Sequence, residues 1–168
     1  MVFLMANGRT DFLEELKTWF THEGRVVIAG IGNPIRMDDF VGMRIVQVLQ
    51  GRVSGNVMLI ECETVPESFM QQIIDFKPAY ILLIDAAILN LKPGEARLLE
   101  PGTLRNFHAV STHTLPLRTF CDYVVKATNA GIRLLLIQPK YTDFGEGLSE
   151  ELEASALRIS AGLLKVLT

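Results

Sequence analysis

Three polar segments stand where apolar runs stop. They are Asp38-Asp39, closing the loop Gly30-Ile31-Gly32-Asn33-Pro34-Ile35-Arg36-Met37; Asp85, directly behind Tyr80-Ile81-Leu82-Leu83-Ile84; and His113, within Ser111-Thr112-His113-Thr114. Two carboxylates and one imidazole make a borderline-hard donor set with open positions. Such a set suits nickel, zinc or manganese and lacks the thiolate that would select zinc or copper. Each residue also has a plainer reading. One of Asp38 and Asp39 can cap the helix that follows, worth about 1 kcal/mol, and a lone histidine is more often a structural hydrogen bonder than a ligand. Asp85 resists that treatment, because a carboxylate emerging from a buried strand is costly unless it is paired, ligated or solvated in a cleft. His22, at a helix end, and His108, in a loop, read as structural. No HExxH, cysteine-rich pair or GxSxG occurs, so a resident zinc protease or a serine hydrolase has no support.

The segments between these residues alternate in period. Asp11-Phe12-Leu13-Glu14 has the form of a capping box, and Phe12, Leu16, Trp19 and Phe20 continue an amphipathic helix towards Gly24. Arg25 to Ile31 is a short β-branched run of the kind buried on both faces. Val41, Ile45, Val48 and Leu49 stripe a helix, Val57 to Ile60 is a strand, and Phe69, Met70, Ile73 and Ile74 stripe a helix beginning near Pro66. Tyr80 to Asp85 is a third strand, and the Lys92-Pro93-Gly94-Glu95 turn leads into a shorter one over Ala96 to Leu99. Leu117, Phe120 and Val124 mark a further helix and Ile132 to Ile137 the last central strand. Ser149 opens a closing helix with Leu152, Ala156, Ile159, Leu163 and Leu167 on one face. The pattern predicts a three-layer α/β/α sandwich with a mostly parallel central sheet of about five strands. In such a sheet ligands bind beyond the carboxyl ends of the strands, which is where Asp38, Asp39, Asp85 and His113 fall.

Composition narrows the function. The chain has 168 residues, 49% of them apolar, with no linker or repeat, and it reads as one domain over 1–168 in which 1–24 is an added helix. Sixteen Lys and Arg against nineteen Asp and Glu leave a net charge of −3, which offers no general attraction to nucleic acid or anionic lipid. Ala79 to Leu89, interrupted by Asp85, falls far short of the roughly 20 apolar residues of a membrane span. Met1 to Ala6 lacks the cationic flank of a signal peptide. A cytoplasmic protein without nucleic-acid or membrane partners is expected. Cys62 and Cys121, lone thiols, read as buried packing residues.

Two look-alikes deserve comparison. Gly30-Ile31-Gly32, with Glu61 ending the second strand, imitates a dinucleotide loop, but Ile35 holds the third glycine position and Asp38-Asp39 would face the pyrophosphate. Gly30-Ile31-Gly32-Asn33-Pro34 also looks like the opening motif of peptidyl-tRNA hydrolases, yet Arg36-Met37-Asp38-Asp39-Phe40 follows without that family's histidine.

A broader resemblance runs from Arg25 onward. Gly30-Ile31-Gly32-Asn33, Asp38-Asp39 with Gly42, Ile84-Asp85-Ala86, Lys92-Pro93-Gly94-Glu95, and Ser111-Thr112-His113 with Leu115-Pro116-Leu117 occur in that order. Together they are similar to the hydrogenase maturation endopeptidases, of the type serving hydrogenase 3. The resemblance implies an α/β endopeptidase of the aspartic or metal-dependent kind. It would cut a C-terminal extension from the large-subunit precursor of a nickel-iron hydrogenase once nickel is in place. The family's metal-recognising residues fall on Asp39, Asp85 and His113, and the nickel would be carried by the substrate. Asp38 is expected either to orient the neighbouring loop or to accept a hydrogen bond from behind the ligands. The chain departs from the family pattern in Phe40, where a small residue is usual, and in the helix before residue 25, whose expected role is packing against its own core. The alternative class is a nonenzymatic nickel-binding chaperone of hydrogenase assembly using the same ligands.

Overall fold

The computed structural model describes residues 11–21, 23–105 and 114–168. Five strands form one sheet in the order β2-β1-β3-β5-β4, with β1 at Val26–Ile31, β2 at Val57–Glu63, β3 at Tyr80–Ala86, β4 at Ala96–Leu99 and β5 at Gly131–Ile137. β2, β1, β3 and β5 run parallel. β4 is antiparallel to β5, because the turn at Lys92–Glu95 returns the chain directly along the sheet edge. The expected architecture is therefore present.

Helices cover both faces. α1 (Phe12–Trp19), α2 (Val41–Leu49) and α5 (Glu150–Leu167) lie on one, packing Leu16, Ile45, Leu49, Ala156 and Ile159 against Ile28, Leu82 and Ile84. α3 (Met70–Phe76) and α4 (Thr114–Thr128) lie on the other, packing Ile73, Leu117, Phe120 and Val124 against Val27, Ala29, Ile81 and Leu83. The division follows from the two-residue period of a strand. β1 and β3 carry apolar side chains at both parities because both of their faces are covered.

The ends of several elements differ from the sequence expectation. α1 is capped by the Asp11 carboxylate, which accepts the Leu13 N–H at 3.1 Å, but it stops at Trp19. Trp19 and Phe20 instead stack around Tyr80, with ring centroids 5.2 Å from it. With Phe12 and Leu16 buried, α1 packs into the core between the sheet and α5. β2 runs to Glu63, three residues past Ile60, and the α3 helix is preceded by a separate 3-10 turn at Pro66–Phe69. Cys62 and Cys121 are buried in the α3/α4 layer, and burial pushes both thiols up to about 12. No helix among the described residues is long and apolar enough to cross a membrane.

Candidate active site

The sheet order makes a crevice. From β1 the chain moves outward to β2, then crosses back to form β3 on the other side of β1, so the connections diverge at the carboxyl ends of β1 and β3. Divergence of this kind opens a gap that ligands use in parallel α/β sheets. The loop after β1 and the residue ending β3 border it.

Glycines set how closely the loop approaches. Gly30 faces α2, and a Cβ there would overlap the carbonyl of Gly42 and come within 2.9 Å of the Met43 nitrogen. A Cβ on Gly42 would overlap the Ile84 carbonyl oxygen and lie 2.8 Å from that of Ile31. The start of α2 thus rests directly on the ends of both strands, an approach only glycine permits. A Cβ on Gly32 would strike the Asp39 carbonyl, so the main chain at Asp39 lies over the end of β1. The structure in this way brings the Asp38-Asp39 turn (Met37–Phe40, 3-10) to the same edge as Asp85.

The two neighbouring aspartates do different things, and neither caps α2, whose N-cap position is Phe40 without a side-chain bond. Asp38 is fully buried. Its Oδ2 accepts the N–H groups of Lys140 at 2.8 Å and Tyr141 at 3.0 Å and the Ser149 hydroxyl at 2.9 Å, while Oδ1 accepts the Ser149 N–H at 2.7 Å. Ser149 is the N-cap of α5, as its sequence context predicts, but its hydroxyl is spent on Asp38 rather than on the helix. Asp38 therefore fastens the β1 loop to the 139–149 loop, in keeping with its expected orienting role. Asp39 is only half-buried, and its Oδ2 accepts the Asn33 N–H at 2.9 Å, bracing the turn of its own loop. The Asn33 Oδ1 in turn accepts the Ile35 N–H at 3.1 Å.

Asp85 is almost wholly buried on the face of β3 that α3 and α4 cover, and its Oδ1 accepts the Ala86 N–H at 2.8 Å. α4 begins at Thr114 on that same side. His113, like His22 and His108, lies outside the described residues. Among the described residues no three His, Cys, Asp or Glu side chains gather as a metal site. Asp39 and Asp85 both stand at the carboxyl end of the sheet, and two carboxylates alone would need a third ligand to hold a borderline metal.

Two contributors escape sequence reasoning. Gln138, just past β5, is buried; its Oε1 accepts the Leu89 N–H at 2.6 Å and its Nε2 donates to the Pro139 carbonyl at 3.1 Å, fixing the chain that leaves Asp85. The 139–149 loop closes the edge through main-chain bonds, Asp38 N–H to the Tyr141 carbonyl at 3.0 Å and Met37 N–H to that of Gly145 at 3.0 Å. Neither has a sequence pattern. Glu61, the acid of the dinucleotide imitation, instead accepts the Gln47 side-chain amide at 2.6 Å. An open cleft of about 560 Å³, lined by Phe20, Arg25, Val26, Asn56, Val57 and Leu167, lies at the opposite, amino end of the sheet, away from Asp39 and Asp85.

The HycI family model, described as hydrogenase maturation protease, matches residues 43–165. A Methanocaldococcus jannaschii protein, provisionally named hydrogenase maturation protease MJ0631, is 36% identical over 152 residues, covering 85% of this chain and 88% of its own. The hydrogenase 3 maturation protease of Escherichia coli K12 is 28% identical over 118 residues, 70% of this chain and 75% of its own. The crystal structure of a [NiFe] hydrogenase maturation protease HycI from Thermococcus kodakarensis KOD1 superposes with a TM-score of 0.83 at 33% identity, covering 91% of this chain and 98% of that one. The chain belongs to the HycI family of hydrogenase maturation proteases, and it is an endopeptidase of that family.

Proposed function

We propose that this endopeptidase removes the C-terminal extension of a nickel-iron hydrogenase large-subunit precursor after nickel insertion, in the cytoplasm, and that Asp39, Asp85 and His113 recognise the inserted nickel. The observation that carries the proposal is the contact of α2 with the strand ends through Gly30 and Gly42, which sets the Asp39 turn beside the end of β3, where Asp85 stands. Two carboxylates and an imidazole offer three donors and leave positions for ligands that the precursor supplies. The nickel belongs to the substrate and works as a checkpoint. A precursor carrying it is anchored with its scissile bond at this edge, and an empty one is not. Hydrolysis then adds one water across the peptide bond: its oxygen joins the carbonyl carbon, the carbon–nitrogen bond breaks, and the departing nitrogen takes a proton. Asp38, accepting four hydrogen bonds behind the edge, keeps the turn that bears Asp39 in place.

The test uses Asp39→Asn, Asp85→Asn and His113→Ala, each assayed against nickel-loaded precursor by intact mass and by binding. The proposal expects each substitution to abolish shortening and to weaken nickel-dependent association. Full cleavage by all three variants would remove these residues from the reaction. Nickel-dependent binding by a wild-type protein that never shortens a competent precursor would make it a carrier instead.

A further inference from the structure

We infer that the paired loops 33–37 and 140–145 form a preformed platform that docks the precursor polypeptide beside its scissile bond, through Ile35, Tyr141 and Phe144 with Arg36. The inference rests on reading Asp39 as part of the cleavage site. Large apolar side chains seldom stand exposed in groups on a soluble protein unless something covers them. Here Phe144 is 78% exposed, Ile35 50% and Tyr141 46%, and all three stand on the loops that follow β1 and β5 at the active edge. Val65 and Ile88, also exposed, follow β2 and β3 at that same edge.

The loops are fixed before anything binds. Arg36 pairs with Gly145 as a parallel bridge, the Gly145 N–H donates to the Ile35 carbonyl at 2.9 Å, and the Met37 N–H donates to the Gly145 carbonyl at 3.0 Å. The Arg36 Nε donates to the Thr142 carbonyl at 3.2 Å while its guanidinium lies 5.3 Å from the Phe144 ring centre. Lys140 sits similarly over Tyr141, also at 5.3 Å. Two loops distant in sequence are thereby held as one surface, so docking onto it loses little conformational entropy. Aromatic and arginine side chains are the types that carry most binding energy when a partner buries them.

The occupant follows from position. Arg36 is three residues from Asp39 in one loop, and the Tyr141 carbonyl accepts the N–H of Asp38, the neighbouring residue, at 3.0 Å. Consecutive Cα atoms are about 3.8 Å apart, so a chain with a bond at Asp39 has its adjoining residues within reach of Tyr141 and Arg36. A polypeptide held at Asp39 therefore has this surface beside it, exposed and already ordered.

The experiment measures cleavage and equilibrium binding of nickel-loaded precursor by wild-type protein and by an Ile35→Ser/Phe144→Ser variant, at two positions at least half exposed, with far-UV circular dichroism of both proteins to establish that the variant is folded. Docking predicts a KM and a dissociation constant raised about tenfold or more, as for loss of anchor residues, with kcat within about twofold of wild type. Unchanged KM and binding in a variant tested beside active wild-type protein would overturn the platform while leaving the proposed reaction intact. Wild-type protein that binds the precursor through these residues but does not shorten it would sink the reaction and keep the platform. Sedimentation of both proteins without precursor completes the test. Self-association lost in the variant, with precursor binding unchanged, would reassign the surface to a second copy of this chain and overturn the inference.

Discussion

Removing the Asp38 carboxylate should loosen the active edge in graded steps that the hydrogen bonds themselves specify. The group is fully buried and accepts four bonds, from Lys140, Tyr141 and twice from Ser149. Bonds to a charged group contribute about 1.5–3 kcal/mol each, and they are not additive when they share an atom. Ser149→Ala deletes one hydroxyl donor and should cost about 1.5 kcal/mol, the low end of that range, because Oδ2 keeps two N–H donors. Asp38→Asn can keep its amide oxygen where Oδ2 accepts three bonds, but its amino group then faces the Ser149 N–H, a clash of donors costing about 1–3 kcal/mol. Asp38→Ala strips every acceptor and leaves three backbone N–H groups without their partner, so about 3–5 kcal/mol is expected, as for breaking a buried charged contact. Urea unfolding followed by far-UV circular dichroism measures all three, with the denaturant slope constant if only the native state changes. Cleavage measured where each variant is still folded should fall in the same order, because Asp39 rides on the turn that Asp38 fastens. An Asp38→Ala loss below about 1 kcal/mol, or an equal loss from Ser149→Ala, would refute the claim that this carboxylate ties the two loops together.

Other perturbations test the support around the edge. Gly42→Ala should lift α2 from the strand ends, since the new methyl would overlap the Ile84 carbonyl oxygen; overpacking against backbone costs about 1–3 kcal/mol or more, and both melting temperature and cleavage should drop. Leu16→Ala, in the helix before β1, should cost about 2–5 kcal/mol by denaturant unfolding if that helix truly belongs to the core, and a loss under about 0.5 kcal/mol would mean it does not. Cys62 and Cys121 have thiols raised to about 12 by burial against an ordinary value of 9.0, so the unfolded chain releases protons first. Their contribution to stability is constant below about pH 9 and declines as the pH rises towards 12. Native protein at pH 8 should resist a thiol-specific chromogenic reagent and react fully in denaturant; rapid native labelling of both would contradict their burial.

Much of the fold was legible because hydrophobic period reports burial directly. Val26 to Ile31 and Tyr80 to Ala86 are apolar at both parities, which identifies central strands covered on two faces, and the stripe from Leu152 to Leu163 identifies α5. The end of α1 was not legible, since Phe20 continues the apolar spacing but lies past the last helical residue, Trp19, and both rings pack on Tyr80. At the candidate site, the strand ends point to Asp38, Asp39, Asp85 and His113 and the family resemblance to Asp39, Asp85 and His113, of which His113 lies outside the described residues. The division of labour between the adjacent aspartates was another matter. A helix cap was the plainer expectation for one of them, whereas Asp38 bonds to residues 102 to 111 positions away. No local spacing encodes such a contact. The platform of Ile35, Tyr141 and Phe144 was hidden for the same reason: it exists only after two remote loops are bridged.

The central claim is that nickel in the precursor licenses cleavage, and one mass spectrum tests it. Nickel-loaded and nickel-free large-subunit precursor are incubated with wild-type protein, and the nickel-loaded one also with His113→Ala, and all are read by intact mass. Loss of a C-terminal peptide is expected only from the nickel-loaded precursor with wild-type protein. Equal shortening of the nickel-free precursor would contradict the checkpoint, and equal shortening by His113→Ala would contradict the ligand set.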